Sequence, residues 1–415
     1  MRRILMLAAT AFAMTATDAR DLNAELREET NPVKRIELLE AAAASDDPQA
    51  RWMAKQRLAF ELAQAGEHAR AEQAMQLNAR LNARSEAVPD DSLVARPAVD
   101  AIVARAASEQ VVMINEAHHV ARTRWLTLSL LAPLRRQGFT HLALEALYED
   151  GDALQKRGHA QTESGYYLQE PVFAELVREA LRLGYQLHRY EYQGDAPEQQ
   201  ARETGQAENL HALLRENPKA RVLVHAGYAH IYRNDPASLF GVRTMVEEFE
   251  RLSGVRALTV EQSYLFDRPD RDNNHPAYER GWTAWQRDQG EATPRPFVLL
   301  DATGTPWSMK PDVFDISVFL PVAADGAWRS LDGRHRLRTL PDSLCAGQRP
   351  CLLEARHADE PAEALPVDRQ WLENGEAAAL WLPPGCFRLR SISRERAVDD
   401  ERSICFEPAG KAIDE

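Results

Sequence analysis

VVMINEAHHVARTRW, residues 111–125, opens on four apolar residues and passes within a few positions to a Glu, two adjacent His and two Arg. A short apolar, β-branched run reads as a buried strand, and a helix-period pattern follows it over 120–137. The same alternation continues down the chain. Apolar runs at 110–116, 141–146, 185–191, 221–227, 256–262 and 297–302 are interleaved with helical patterns at 120–137, 171–183, 197–216 and 240–252. Strands that alternate with helices are joined by right-handed crossovers. The pattern therefore predicts an α/β fold, a mostly parallel sheet with helices on both faces.

Each of these strands ends in an acid or a His: Glu116, Glu145, Glu191, His225 followed by His230, Glu261 and Asp301. The carboxyl ends of a parallel sheet lie along one edge, where open α/β sheets bind ligands, so these residues are expected to converge on one crevice. Any one of them could equally be the exit of its strand to solvent; six together favour a site. Glu116 and Glu145 with His119 and His230 supply two carboxylates and two imidazoles. That set could activate water by general-base catalysis, or hold a divalent metal such as Mn, Co or Zn. His118 and His119 diverge by about 100° on a helical turn and point oppositely in an extended chain. One of them is expected in the catalytic set, assigned here to His119, with His118 and Glu191 on the substrate side. Arg122 and Arg124 fall on the first turns of the next helix, where backbone amides favour anions. They are candidates for a substrate carboxylate or phosphate, with pairing to Glu116 as the alternative.

The flanks read differently. Arg2 and Arg3, the apolar run 4–16 and small residues at Ala13, Ala16 and Ala19 form a secretory leader pattern over 1–19, which predicts a periplasmic or secreted protein with no membrane anchor. Residues 20–95 are rich in Ala, Leu, Glu, Gln and Arg and read as helical. Within them, 54–75 sets Leu58, Ala59 and Leu62 before Gly66 and Ala69 and Ala74 after it, as in one tetratricopeptide-like unit. A single unit reads first as a packing arm, and second as a surface for a protein partner. A linker is expected at 85–100. The α/β region is bounded at 96–322, and inside it 267–296, with Tyr278, Trp282 and Trp285, reads as a long polar loop or lid in which His275 is a surface residue. From 323 to 415 the pattern is of strands with turns near Asp332–Gly333 and Pro383–Gly385, a small β domain. All four cysteines fall there, an even number in an exported chain. Cys345–Cys351 and Cys386–Cys405 are the favoured pairs of three pairings.

The formal charge of −13, about −14 without the leader, argues against a nucleic-acid or anionic-membrane partner. No Gly-x-Ser-x-Gly elbow, Walker loop or dinucleotide loop occurs in a strand-to-helix context, so serine chemistry and nucleotide dependence are not expected.

The segments NEAHHVARTR and LLAPLRRQGFTHLALEAL, followed by VLVHAGYAHI, together resemble the superfamily of erythromycin esterase-like enzymes, Tiki metalloproteases and ChaN-like haem-binding proteins. The resemblance covers roughly residues 100–320. It rests on Glu116 with His119, on Glu145, and on Gly227 with His230; Arg202, Glu203 and Asn209 suit supporting positions on a helix. Family members carry Gly where this chain has Asn115. Glu-x-His is the ChaN-like spacing and Glu-x-x-His the esterase-like one, and the double His satisfies both. The resemblance implies a hydrolase of an ester, lactone or peptide bond, acting on a small-molecule or peptide substrate with or without a divalent metal. Its alternatives are a haem-binding protein, with Tyr228, Tyr232 or His118 as axial ligand, and a non-catalytic scaffold.

Overall fold

The computed structural model describes residues 16–75, 87–145, 147–194, 198–235, 241–290, 294–321, 328–329, 334–338, 344–373, 379–407 and 412–413. The expected leader lies outside these residues over 1–15, as does the turn at Asp332–Gly333.

The central layer is an eight-stranded sheet formed by β1 (Val94–Pro97), β2 (Val111–Glu116), β3 (His141–Leu144), β4 (Gln186–Arg189), β5 (Val222–Gly227), β6 (Leu258–Phe266), β7 (Phe297–Leu300) and β8 (Ile316–Leu320). Their spatial order is β1-β7-β8-β6-β2-β5-β3-β4. The six strands from β8 to β4 pair in parallel, whereas β7 pairs antiparallel with both β8 and β1. This is the α/β class that the alternation predicts. Val112 and Ile114 face one core with Leu126, Leu130 and Leu134 of the helix Ala121–Arg136 and Leu176 of the helix Pro171–Arg182. Val111 and Met113 face another with Leu210 of the helix Gln199–Glu216 and Phe249 of the helix Met245–Ser253. Burial on both faces is why these strands are uninterrupted apolar runs.

Four expectations are corrected. The antiparallel course of β7 carries Asp301 to the opposite edge from the other strand ends, where it is exposed and accepts hydrogen bonds from Thr303 and Thr305. Part of the 85–100 linker is strand: β1 adds to the sheet edge, where Pro97 is tolerated. The stretch 267–296 contains the helix Pro276–Gln289, capped by the buried His275, whose Nδ1 accepts from Ala277 N; Tyr278 and Trp285 are buried in the core. Its aromatics are spaced to face the sheet, so polarity alone misread an amphipathic helix. The strand β8 lies outside the runs read as strands.

At the amino end, helices Pro32–Ala43, Pro48–Gln64 and His68–Ala74 follow one another, the first two capped by Asn31 and Asp47 with Pro next in line. Leu58, Ala59 and Leu62 are buried as expected, but after Gly66 it is Ala71 that is buried, and Ala69 is exposed. Their apolar face is covered by Leu352 and Trp371 of the carboxy-terminal sheet. Gly66 has φ +80°, and a side chain there would collide with the Arg369 carbonyl.

That sheet runs β11-β10-β13-β14-β15, all antiparallel, from β10 (Cys351–His357), β11 (Asp368–Leu372), β13 (Gly385–Ser393), β14 (Ala397–Phe406) and β15 (Ala412–Ile413). The turn expected at Pro383–Gly385 is no hairpin. β12 (Leu380–Leu382) pairs with β9 (His335–Leu337), and the chain changes sheets there; the hairpin is β13 with β14. Disulfides join Cys345 to Cys351 and Cys386 to Cys405, the favoured pairing. Among the described residues no helix is long and apolar enough to cross a membrane.

Candidate functional site

The strand order β2-β5-β3-β4 sets four carboxyl ends side by side. They deliver Glu116, His230 on the turn after β5, Glu145 and Glu191 to one region. A pocket of about 470 Å³ opens there, lined by His118, Glu145, Tyr167, Glu191, Arg202 and His230 among others.

Glu116 is buried beneath it and accepts from Arg124 Nε at 2.5 Å and Nη2 at 3.1 Å, meets His118 Nδ1 at 2.6 Å and meets His225 Nε2 at 3.1 Å. Burial works to raise its carboxyl, but Arg124 and the two imidazoles outweigh burial and hold it well below the usual carboxylate range. A carboxylate on Nδ1 takes the hydrogen at that atom, so the neutral form of His118 carries its lone pair on Nε2. The His118 ring stacks on Tyr167, with centroids 3.8 Å apart and planes 11° apart, and meets Tyr228 and Phe60 edge-on. Phe60 comes from the amino-terminal helices, which thus reach the wall of the site.

A Cβ on Gly227 would fall 2.5 Å from His118 Cε1, 2.7 Å from Nε2 and 3.1 Å from Glu145 Oε2. His118 Nε2 and Glu145 therefore share the space above this glycine, which no side chain could enter. Glu145 accepts from Gly227 N and from Arg202 Nη2 at 2.8 Å. Burial would raise its carboxyl; His230, Arg202 and His118 together bring it down to about 2. Arg202 also binds Glu191 through Nε at 3.0 Å and through Nη2, and Gln206 binds the same carboxylate. His230 meets Glu203 through Nδ1 at 2.8 Å and Arg202 through Nε2 at 3.1 Å, with Glu145 3.6 Å away. Burial lowers the His230 pKa, but the two carboxylates reverse this and raise it.

The expected set is thus redistributed. Glu116, Glu145, His230, His118 and Glu191 come together, and of the two adjacent imidazoles His118, not His119, lines the pocket. His119 is buried outside the pocket lining, with Nδ1 3.3 Å from the Tyr228 hydroxyl, and burial first, then the charges of His118, Arg268 and Arg124, push its pKa down to about 3. Neither arginine is placed for substrate. Neither lines this pocket: Arg124 is buried against Glu116, the pairing expected as the alternative, and Glu170, and Arg122 is buried against Glu72. Arg202 and Glu203 support the site directly, whereas Asn209 holds the Tyr190 and Glu191 carbonyls. Asn115 ties β2 to its neighbours, donating to the Tyr228 carbonyl and accepting from Gln262 N. Glu261 is buried in a network with Ser263, Asn115 and Tyr232, away from the pocket, and burial raises its pKa. Tyr167 escaped the sequence reading, its signal being the aromatic pair in SGYYLQEP, whereas His225, expected at a strand end, is buried against Glu116.

His119 carries a pH consequence. Its folded pKa lies below the unfolded value of 6.5, so as pH falls from 6.5 toward 3 the unfolded chain takes up a proton that the folded chain refuses, and stability drops by up to about 1.4 kcal/mol per pH unit. His68, also depressed, has the same sign. Urea unfolding at pH 7 and pH 5 should show His119→Gln losing about 2 kcal/mol less than the parent over this interval. Equal losses would contradict a neutral, buried His119.

Among the described residues no group of three or more His, Cys, Asp or Glu side chains is arranged to hold a metal. Glu116 is occupied by Arg124 and two imidazoles, His230 Nδ1 by Glu203, and His119 faces elsewhere. Of the expected axial ligands, Tyr232 is buried with its hydroxyl on Glu261, and His118 has Nδ1 on Glu116 and its ring stacked on Tyr167.

No protein-family model matches the chain, and no curated protein does. Among solved structures it is similar to the type III effector HopBA1, at 16% identity and TM-score 0.31, over 42% of this chain and 89% of that one. It is also similar to RRSP, a MARTX toxin effector domain from Vibrio vulnificus CMCP6, at 14% identity and TM-score 0.32, over 58% of this chain and 55% of that one. Likenesses this distant decide nothing about activity.

Proposed function

We propose that the chain is an exported hydrolase of an ester, lactone or peptide bond, related to the erythromycin esterase-like, Tiki and ChaN-like superfamily. The observation that carries this reading is the Glu116–His118 pair, with His118 Nε2 directed into a charged pocket. In this reading His118 Nε2 takes a proton from water as the water oxygen attacks the substrate carbonyl carbon. Glu116, pinned by Arg124, stabilises the imidazolium so formed. Arg202 supplies positive potential to the oxygen that gains charge. When the tetrahedral intermediate collapses, His118 returns the proton to the leaving oxygen or nitrogen. The Glu-x-His spacing belongs to the ChaN-like branch, but the buried carboxylate on His118 Nδ1, with Arg202 across the pocket, favours hydrolysis over haem. The two disulfides accord with export to an oxidising compartment.

The test is a panel of p-nitrophenyl esters, five- to seven-membered and macrocyclic lactones and short peptides, given to the purified full chain with and without EDTA. Turnover of at least one class that survives EDTA is expected. No turnover of any class would overturn the reading, and turnover abolished by EDTA would overturn its metal-free form.

A further inference from the structure

A second cavity, of about 610 Å³, lies where the amino-terminal helices, the α/β layer and the carboxy-terminal sheets meet, and it shares no lining residue with the His118 pocket. Six arginines line it, in a chain of net charge −13. Four have carboxylate partners: Arg122 with Glu72 at 2.8 Å, Arg271 with Asp267 at 3.2 Å, Arg329 with Asp368 at 2.8 Å and Arg369 with Glu354 at 2.7 Å. Arg268 and Arg336 have no carboxylate partner among the described residues, and the Nε atom of each is buried without a hydrogen-bond acceptor.

Arg268 is 6% exposed, its guanidinium stacks 4.0 Å from the Phe266 ring centre, and its one side-chain hydrogen bond is a long one, 3.5 Å, to the Tyr264 carbonyl. Arg336 lies over Trp381, 5.5 Å from the ring centre. Burial depresses the Arg268 pKa to about 10, outweighing the attraction of the Glu72 and Glu261 carboxylates. A guanidinium keeps its charge at neutral pH, so a protein cannot relieve this burial by deprotonation as it would for a lysine. An unpaired buried cation is costly, and an anion that accepts its fork of N–H donors removes the cost.

We propose that this junction cavity binds a small oxyanion, the carboxylate or phosphate of a small molecule, between Arg268 and Arg336, with the Trp381 and Trp328 side of the cavity receiving the remainder of the ligand. Because all three regions of the chain contribute to the walls, binding stabilises their junction by mass action.

The experiment is isothermal titration and thermal unfolding of the full chain with inorganic phosphate and, separately, benzoate, at constant ionic strength in chloride. Phosphate, benzoate or both should bind and raise Tm. Phosphate alone assigns an inorganic or phosphoryl head, whereas benzoate assigns a carboxylate on an aromatic body. Arg268→Met and Arg336→Met should each weaken binding by about 10-fold or more, the loss of a charged hydrogen-bond donor set. In chloride alone, Arg268→Met should be at least as stable as the parent, because it removes a cation with no partner. The proposal is overturned if neither anion binds, if binding survives both substitutions, or if Arg268→Met is less stable than the parent in chloride.

Discussion

His118→Gln should lower kcat/KM by about 10² to 10⁴ on any substrate the panel identifies, with the loss in kcat, because the general base is removed while the pocket walls remain. His119→Gln should keep most of the activity, since that imidazole lies outside the pocket lining and is held neutral by burial. The two variants differ by one position, so the pair separates a His directed by Glu116 from one that merely packs. Retention of activity in His118→Gln, or loss in His119→Gln alone, would refute the assignment. Glu116→Gln should act through His118. Its expected signature is an altered pH profile of kcat, because an amide cannot stabilise the imidazolium as the carboxylate does, and a purely structural role would leave the profile in place.

The second large effect concerns stability. Arg124→Met should destabilise the fold by about 3–5 kcal/mol, read as a lower urea midpoint, because it leaves Glu116 buried without its guanidinium. Arg124 serves two carboxylates unequally. Glu116 is held far below the carboxylate range, whereas for Glu170 burial wins over Arg124 and over the amides of Val172 and Phe173, and its pKa is raised. Glu116 is therefore the carboxylate whose low pKa depends most on this guanidinium. Adding Glu116→Gln to Arg124→Met should recover part of the loss, a coupling of about 1–3 kcal/mol. A loss below about 1 kcal/mol in Arg124→Met, or strict additivity of the pair, would show that the ion pair is not what stabilises this corner of the sheet.

Much of the architecture was legible in the sequence because it depends on periodicity. Apolar runs of strand length between helix-period segments gave β2 to β6 to within a few residues, and the parallel crossovers followed from chain chirality. Strand ends placed Glu116, Glu145, Glu191 and His230 on one edge for the same reason. Where the inference needed strand direction, it failed: Asp301 ends a strand that runs the other way, and no local signal marks β7 as antiparallel. The helix Pro276–Gln289 was hidden by polar composition, although Pro after His275 is a helix-start signal.

The sequence by itself determined the α/β class and the edge on which Glu116, Glu145, Glu191 and His230 gather, both of which rest on spacing along one chain, and it favoured the cysteine pairs that form. Only the tertiary structure decided which of two adjacent imidazoles enters the site. His118 is selected by Glu116 beneath it, Tyr167 stacked on it and the bare Cα of Gly227 beside it, and Gly227 lies 109 residues downstream. The fate of Arg122 was settled likewise, by Glu72, whereas Arg124 takes the pairing to Glu116 that the sequence offered as the alternative, with Glu170 added. A side chain's direction and charge state come from whatever packs against it, and burial makes those distant partners, rather than the neighbours in sequence, the dominant electrostatic terms.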